Sequence, residues 1–67
     1  MNKDILKGKW NQLKGEVKKR WGSLTDDDIT KIEGQSDKLI GILQEKYGYS
    51  REKAEEEVDQ FLGTSAR

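Results

Sequence analysis

Apolar residues recur along this chain at helical spacing. Leu6, Trp10, Leu13, Val17 and Trp21 are separated by 4, 3, 4 and 4 positions, one stripe of a helix over about residues 4–21. Lys18, Lys19 and Arg20 then place cations at its negative end, and Gly22 is expected to stop it as a left-handed residue. A second helix is predicted over about residues 26–33. Thr25 is its N-cap, Asp26, Asp27 and Asp28 fill the first turn, and Leu24 and Ile29 are spaced as a hydrophobic staple. Gly34 terminates it. A third helix over about residues 36–47 carries Leu39, Ile40, Ile42, Leu43 and Tyr47 and stops at Gly48. Ser50 caps a fourth, over about residues 51–62, whose stripe is Ala54, Val58, Phe61 and Leu62. Gly63 ends it, leaving residues 64–67 as a frayed tail.

Short connections between such helices predict an all-α fold. One domain spans residues 1–67, a small bundle of four helices arranged as two αα-hairpins. Its core is expected to join Trp10, Leu13, Val17 and Trp21 to Leu39, Leu43, Val58 and Phe61. The glycines suggest why there are two hairpins. Gly8, Gly15 and Gly22 form a seven-residue ladder that repeats 26 residues later as Gly34, Gly41 and Gly48. Leu13, Val17 and Trp21 correspond in the same register to Leu39, Leu43 and Tyr47, and Leu24-Thr25 to Tyr49-Ser50 after a one-residue slip. An internal duplication of a helix-turn-helix unit accounts for this pattern most simply.

Gly22, Gly34, Gly48 and Gly63 fall at helix ends, whereas Gly8, Gly15 and Gly41 lie mid-helix on the side away from the apolar stripe. Each exposed mid-helix glycine costs about 0.8–1 kcal/mol relative to alanine. Neutral drift explains such residues blandly. A contact face that a partner's backbone approaches, or selected softness, explains them functionally.

Composition narrows the class. Of 67 residues, 31% are hydrophobic and 39% charged, with a mean hydropathy of −1.04, so the core is lean. Disorder is the rival reading, but the periodic placement of the few apolar residues favours a marginally stable helical domain. The chain has no cysteine, the start of the sequence lacks the apolar run of a secretory signal, and nothing approaches a membrane span. A soluble cytoplasmic monomer is expected, without membrane association.

Net charge is zero but unevenly spread. Residues 1–22 carry seven basic groups against Asp4 and Glu16, while residues 23–67 carry six basic against eleven acidic groups. Mutual attraction of the two halves is the simpler reading. The sharper one is a basic strip, Lys3, Lys7, Lys14 and Lys18, facing phosphate or another anionic partner. Trp10 and Trp21 could stack on bases, but both lie on the core stripe. The acidic strip Glu52, Glu55, Glu56 and Asp59 keeps the surface soluble or meets the basic strip of another copy.

Catalytic chemistry has little to work with. The absence of histidine and cysteine removes imidazole bases, thiol nucleophiles and the usual zinc ligand sets. No phosphate-cradling glycine loop or EF-hand spacing occurs. The three consecutive aspartates point about 100° apart on a helix, which suits a first turn better than a metal. No catalytic residue, cofactor or metal is assigned, and an enzyme is not expected.

The run Trp10-Asn11-Gln12-Leu13-Lys14-Gly15-Glu16-Val17-Lys18 resembles the CsbD-like family of small bacterial stress-response proteins, in particular its YjbJ-type branch. So do Trp21-Gly22, Leu24-Thr25-Asp26-Asp27-Asp28, Ile32-Glu33-Gly34 and Tyr47-Gly48-Tyr49. The likeness runs from about Met1 to Phe61. The chain departs from the family's pattern at Ser36, at Leu43 and in its tail, departures expected to touch surface detail only. The resemblance implies a cytoplasmic protein induced under general stress, a pair of helical hairpins likened to SAM-type domains, and no catalytic residues. Function is therefore expected to be non-enzymatic, through contact with a protein partner or general protection. A nucleic-acid-binding module on the basic strip is the alternative, and a disordered protectant the third.

Overall fold

A computed structural model describes residues 3–63, with side chains from Ile5 onward. Five helices follow one another: α1 (Lys3–Gly8), α2 (Trp10–Arg20), α3 (Asp26–Ile32), α4 (Ser36–Tyr47) and α5 (Arg51–Leu62). No strand occurs among the described residues. The tail expected over residues 64–67 lies outside them.

The single helix expected over residues 4–21 is two helices. Lys9 leaves helical geometry at φ −116° and ψ 21°, yet its N–H still reaches Ile5 O at 3.1 Å. Its own carbonyl accepts from Gln12 N and Leu13 N at 2.9 and 2.8 Å, so one residue both ends α1 and starts α2. Packing forces the break. Gly34 sits so close that a Cβ built on it would lie 3.0 Å from Lys7 Cα and 3.2 Å from Trp10 Cβ. By folding around this glycine, α1 reaches α4 and seals Leu6 completely.

At the end of α2 the expected left-handed glycine is replaced by a turn. Trp21 is the C-cap, at φ −117° and ψ 82°, and Gly22 has no positive φ. Leu24 N donates to Trp21 O at 3.0 Å, and Ser23 N to the Tyr47 hydroxyl at 3.2 Å. This exit carries the Trp21 indole into the core, 5.3 Å from the Phe61 ring centroid.

The remaining boundaries follow side-chain chemistry. Thr25 Oγ1 accepts from Asp28 N at 3.2 Å, and Asp28 Oδ2 accepts from Thr25 N at 2.9 Å, a reciprocal capping box. Ser50 Oγ accepts from Lys53 N at 3.0 Å and opens α5. Gly48 and Gly63 close α4 and α5 at φ 70° and 72°, as glycine alone does without strain. Helix α3 ends one residue earlier than expected, with Glu33 as its left-handed cap at φ 49° and Gly34 next at φ 78°.

Helices α4 and α5 form the most extensive pair, with α3 on α4 and α2 on α3. Val17, Trp21, Leu39, Leu43 and Val58 are buried as expected, together with Leu6, Leu24, Ile32, Ile40 and Ala54. Trp10, Leu13 and Phe61 are corrections: they pack against this core but are only partly buried. Ser36 is a correction as well, since this departure from the family pattern, expected to touch surface detail only, lies inside at 2% exposure.

Candidate functional site

Splitting the first helix divides the expected basic strip. Lys7 sits on α1, Lys14 and Lys18 on α2, and the Lys3 side chain lies outside the described residues. Lys14 and Lys18 line one shallow cleft with Gly15, Asp26, Ile29 and Thr30; Lys7 lines another. Lys18 Nζ is also held by Asp26 at 2.5 Å. Lys7, Lys14 and Lys18 therefore make no continuous rail.

Opposite charges meet within the chain elsewhere too. Arg20 approaches Glu57 at 3.6 Å, joining the basic and acidic halves of the sequence, and Lys53 reaches the same carboxylate at 3.3 Å. Arg51 lies between Glu55 at 3.2 Å and Asp37 at 3.6 Å. These exposed pairs contribute little individually. Lys46 and Asp28 are different: they meet at 2.8 Å where Asp28 is only 8% exposed. The Lys46 ammonium, followed by the Thr25 backbone N–H, holds the Asp28 carboxyl below its ordinary value. Asp28 thus caps α3 and ties it to the last turn of α4. Among the described residues no group of three or more acidic side chains is placed to hold a metal ion.

An open cleft of about 610 Å³ surrounds the break at Lys9, lined by Lys7, Gly8, Lys9, Trp10, Asn11, Gln12 and Glu33. Gly34 forms its support: the Trp10 Cβ and Cγ would lie 3.2 and 3.4 Å from a Cβ there, so the indole is seated on bare backbone. Glu33, the one described non-glycine residue at positive φ, holds a strained conformation at the rim. Lys7, Lys9 and Glu33 have no ion-pair partner among the described residues. Reading the sequence as one continuous helix placed Trp10 in the core and hid this cleft. Two further clefts contain the other exposed glycines, Gly15 beside Ile29 and Gly41 beside Ile42, the latter flanked by Lys31 and Lys38. A Cβ on Gly8, Gly15 or Gly41 would meet nothing within 4 Å, so all three open to solvent as expected, but Gly8, expected mid-helix, is the last residue of α1.

No helix among the described residues is long and apolar enough to cross a membrane. Comparison with known proteins places the chain. The profile described as CsbD-like matches residues 4–56. A UPF0337 protein of Pseudomonas aeruginosa is 56% identical over 61 residues, covering 91% of this chain and 94% of the relative. The UPF0337 protein YjbJ of Escherichia coli is 57% identical over 61 residues, 91% of this chain and 88% of its own. A UPF0337 protein of Pectobacterium atrosepticum is 59% identical over the same length and shares. With more than half its length matched by the family profile and near-full-length relatives well above 30% identity, this chain belongs to the CsbD-like family.

Proposed function

We propose that this is a non-enzymatic, cytoplasmic stress-response protein that acts by touching other proteins, either specifically or as a general protectant at high abundance. The observation that carries this reading is the surface around the exposed glycines. Gly8, Gly15 and Gly41 each sit in a cleft beside a partly buried apolar side chain, Trp10, Ile29 or Ile42. A bare helix backbone next to an apolar side chain lets a partner chain approach closely. The lack of histidine and cysteine supports a non-enzymatic role. Pairing of Lys18 with Asp26 and the division of the basic strip weigh against nucleic-acid binding along Lys3, Lys7, Lys14 and Lys18.

The test replaces all three glycines by alanine and assays survival of stressed cells that rely on the variant. A stable variant that no longer protects is the expected result. Full protection by the variant would remove the glycine surface from the function. A salt titration with DNA and RNA addresses the strip: binding at about 50 mM salt that vanishes in Lys14→Gln/Lys18→Gln would restore the alternative.

A further inference from the structure

We propose that the cleft at the α1–α2 break binds a purine nucleotide unit, with guanine as the preferred base. The chemistry of its walls calls for a ligand with three distinct parts. Trp10 presents a partly exposed indole anchored on Gly34, a platform for a planar ring. Lys7 and Lys9 bring two ammonium groups that form no ion pair with a described carboxylate, and an ammonium pairs with phosphate as a point charge. Glu33 adds an ionised carboxylate, which only accepts hydrogen bonds, so the ligand must offer donors there. Guanine satisfies this best, because N1–H and the 2-amino group lie side by side on one edge. Adenine and cytosine present a single amino group.

Simpler ligands leave part of the cleft unused. Inorganic phosphate would engage the lysines and ignore Trp10 and Glu33. A neutral aromatic would stack and leave both ammonium groups uncompensated. An acidic peptide would meet Glu33 as a like charge. The cleft, at about 610 Å³, falls in the usual range for small-molecule sites. Its backbone is fixed before any ligand arrives: the close approach of Gly34 to Lys7 seats α1, and the left-handed φ of Glu33 sets the chain at the rim. The nucleotide can be free or part of a single strand; the chemistry is shared. The nucleotide would take the cleft beside Gly8 and leave those beside Gly15 and Gly41 to protein contact, so its failure leaves the protein-contact reading standing.

The full chain is titrated with GMP, AMP, CMP, a single-stranded guanosine pentamer and inorganic phosphate at about 50 mM salt, following the Trp10 indole and the Glu33 and Gly34 amides by NMR. Saturable shifts confined to the cleft are expected, with GMP tighter than AMP and CMP. Binding of the pentamer but not of GMP would assign the site to strands, and binding of GMP would include free nucleotide. Glu33→Gln should bring the GMP-to-AMP ratio to about one, since a neutral amide matches either base. Lys7→Gln with Lys9→Gln should weaken GMP about tenfold and flatten its salt dependence. Trp10→Leu should weaken it about tenfold while Trp10→Phe retains most of the affinity, which a packing role would not predict. Should Trp10→Leu fail to fold, the exposed Lys7, Lys9 and Glu33 variants still decide the matter. Absence of saturable shifts with both GMP and the pentamer would overturn the proposal. So would equal shifts from inorganic phosphate, or an unchanged base preference in Glu33→Gln.

Discussion

Replacing Gly34 by alanine should be the most damaging single-methyl change in this protein. Two penalties add at that position. Its φ of 78° is left-handed, which costs an L-residue about 1–2 kcal/mol. The new Cβ would also stand 3.0 Å from Lys7 Cα and 3.2 Å from Trp10 Cβ. The first neighbour is backbone, so relief requires α1 to move off α4, and overpacking of this kind costs about 1–3 kcal/mol. The sum is about 2–5 kcal/mol. A domain of 67 residues holds about 3–10 kcal/mol in all, so the variant should be severely destabilised or unfolded. Gly48 supplies the control, because it shares a positive φ of 70° but a Cβ there meets nothing within 4 Å. Gly48→Ala should therefore suffer the backbone penalty alone. Urea unfolding followed by far-ultraviolet dichroism measures both. At an m-value of about 1 kcal/mol per molar, the Gly34 variant should melt about 1–3 M earlier than the Gly48 variant. Equal midpoints for the two would refute the close approach of α1.

Other outcomes follow from the same structure. Alanine at Gly15 and Gly41 together should raise stability by about 2 kcal/mol, because the new methyls enter open space inside helices; a lower melting temperature would contradict their placement. The Asp28 carboxyl is held below its ordinary value by Lys46 and Thr25, so its contribution is fully present above about 3.8 and is lost as pH falls through the depressed value. Asp28→Asn should therefore flatten the acid limb of the stability profile, and an unchanged limb would show that the pair does not form. Thr25→Ala removes the hydroxyl acceptor of the capping box and should cost about 1 kcal/mol, read by urea unfolding.

Caps and buried stripes were legible in the sequence because they are local. Thr25, Ser50, Gly48 and Gly63 do what their side chains, or lack of them, dictate within one turn. The break at Lys9 was not legible from periodicity, since a spacing of 4, 3, 4 and 4 suits a straight helix equally well. Its cause lies in Gly34, distant along the chain. One clue was available. Trp10 opens α2 and Ser36 opens α4, 26 residues apart, the same offset that relates Gly8 to Gly34. Carrying that register through to the helix starts would have put a boundary after Gly8. The correspondence has limits, because Gly48 is left-handed and Gly22 is not. Trp21 explains the difference: it must leave α2 to bury its indole against Phe61, whereas Tyr47 stays partly exposed with its hydroxyl accepting from Ser23. The candidate cleft depends on this same break, which is why Glu33 carried no signal on its own. A glutamate before a glycine reads as an ordinary helix end until its left-handed φ and the neighbouring indole are known.

Proton–proton cross-relaxation in the folded chain tests the arrangement most directly, because the seat of Lys7 and Trp10 on Gly34 organises both the fold and the cleft. Cross-peaks from the Gly34 α-protons to Lys7 Hα and the Trp10 β-protons are predicted, with the helical amide ladder altered at Lys9. An unbroken ladder through Lys9, with no contact between Gly34 and either residue, would contradict it.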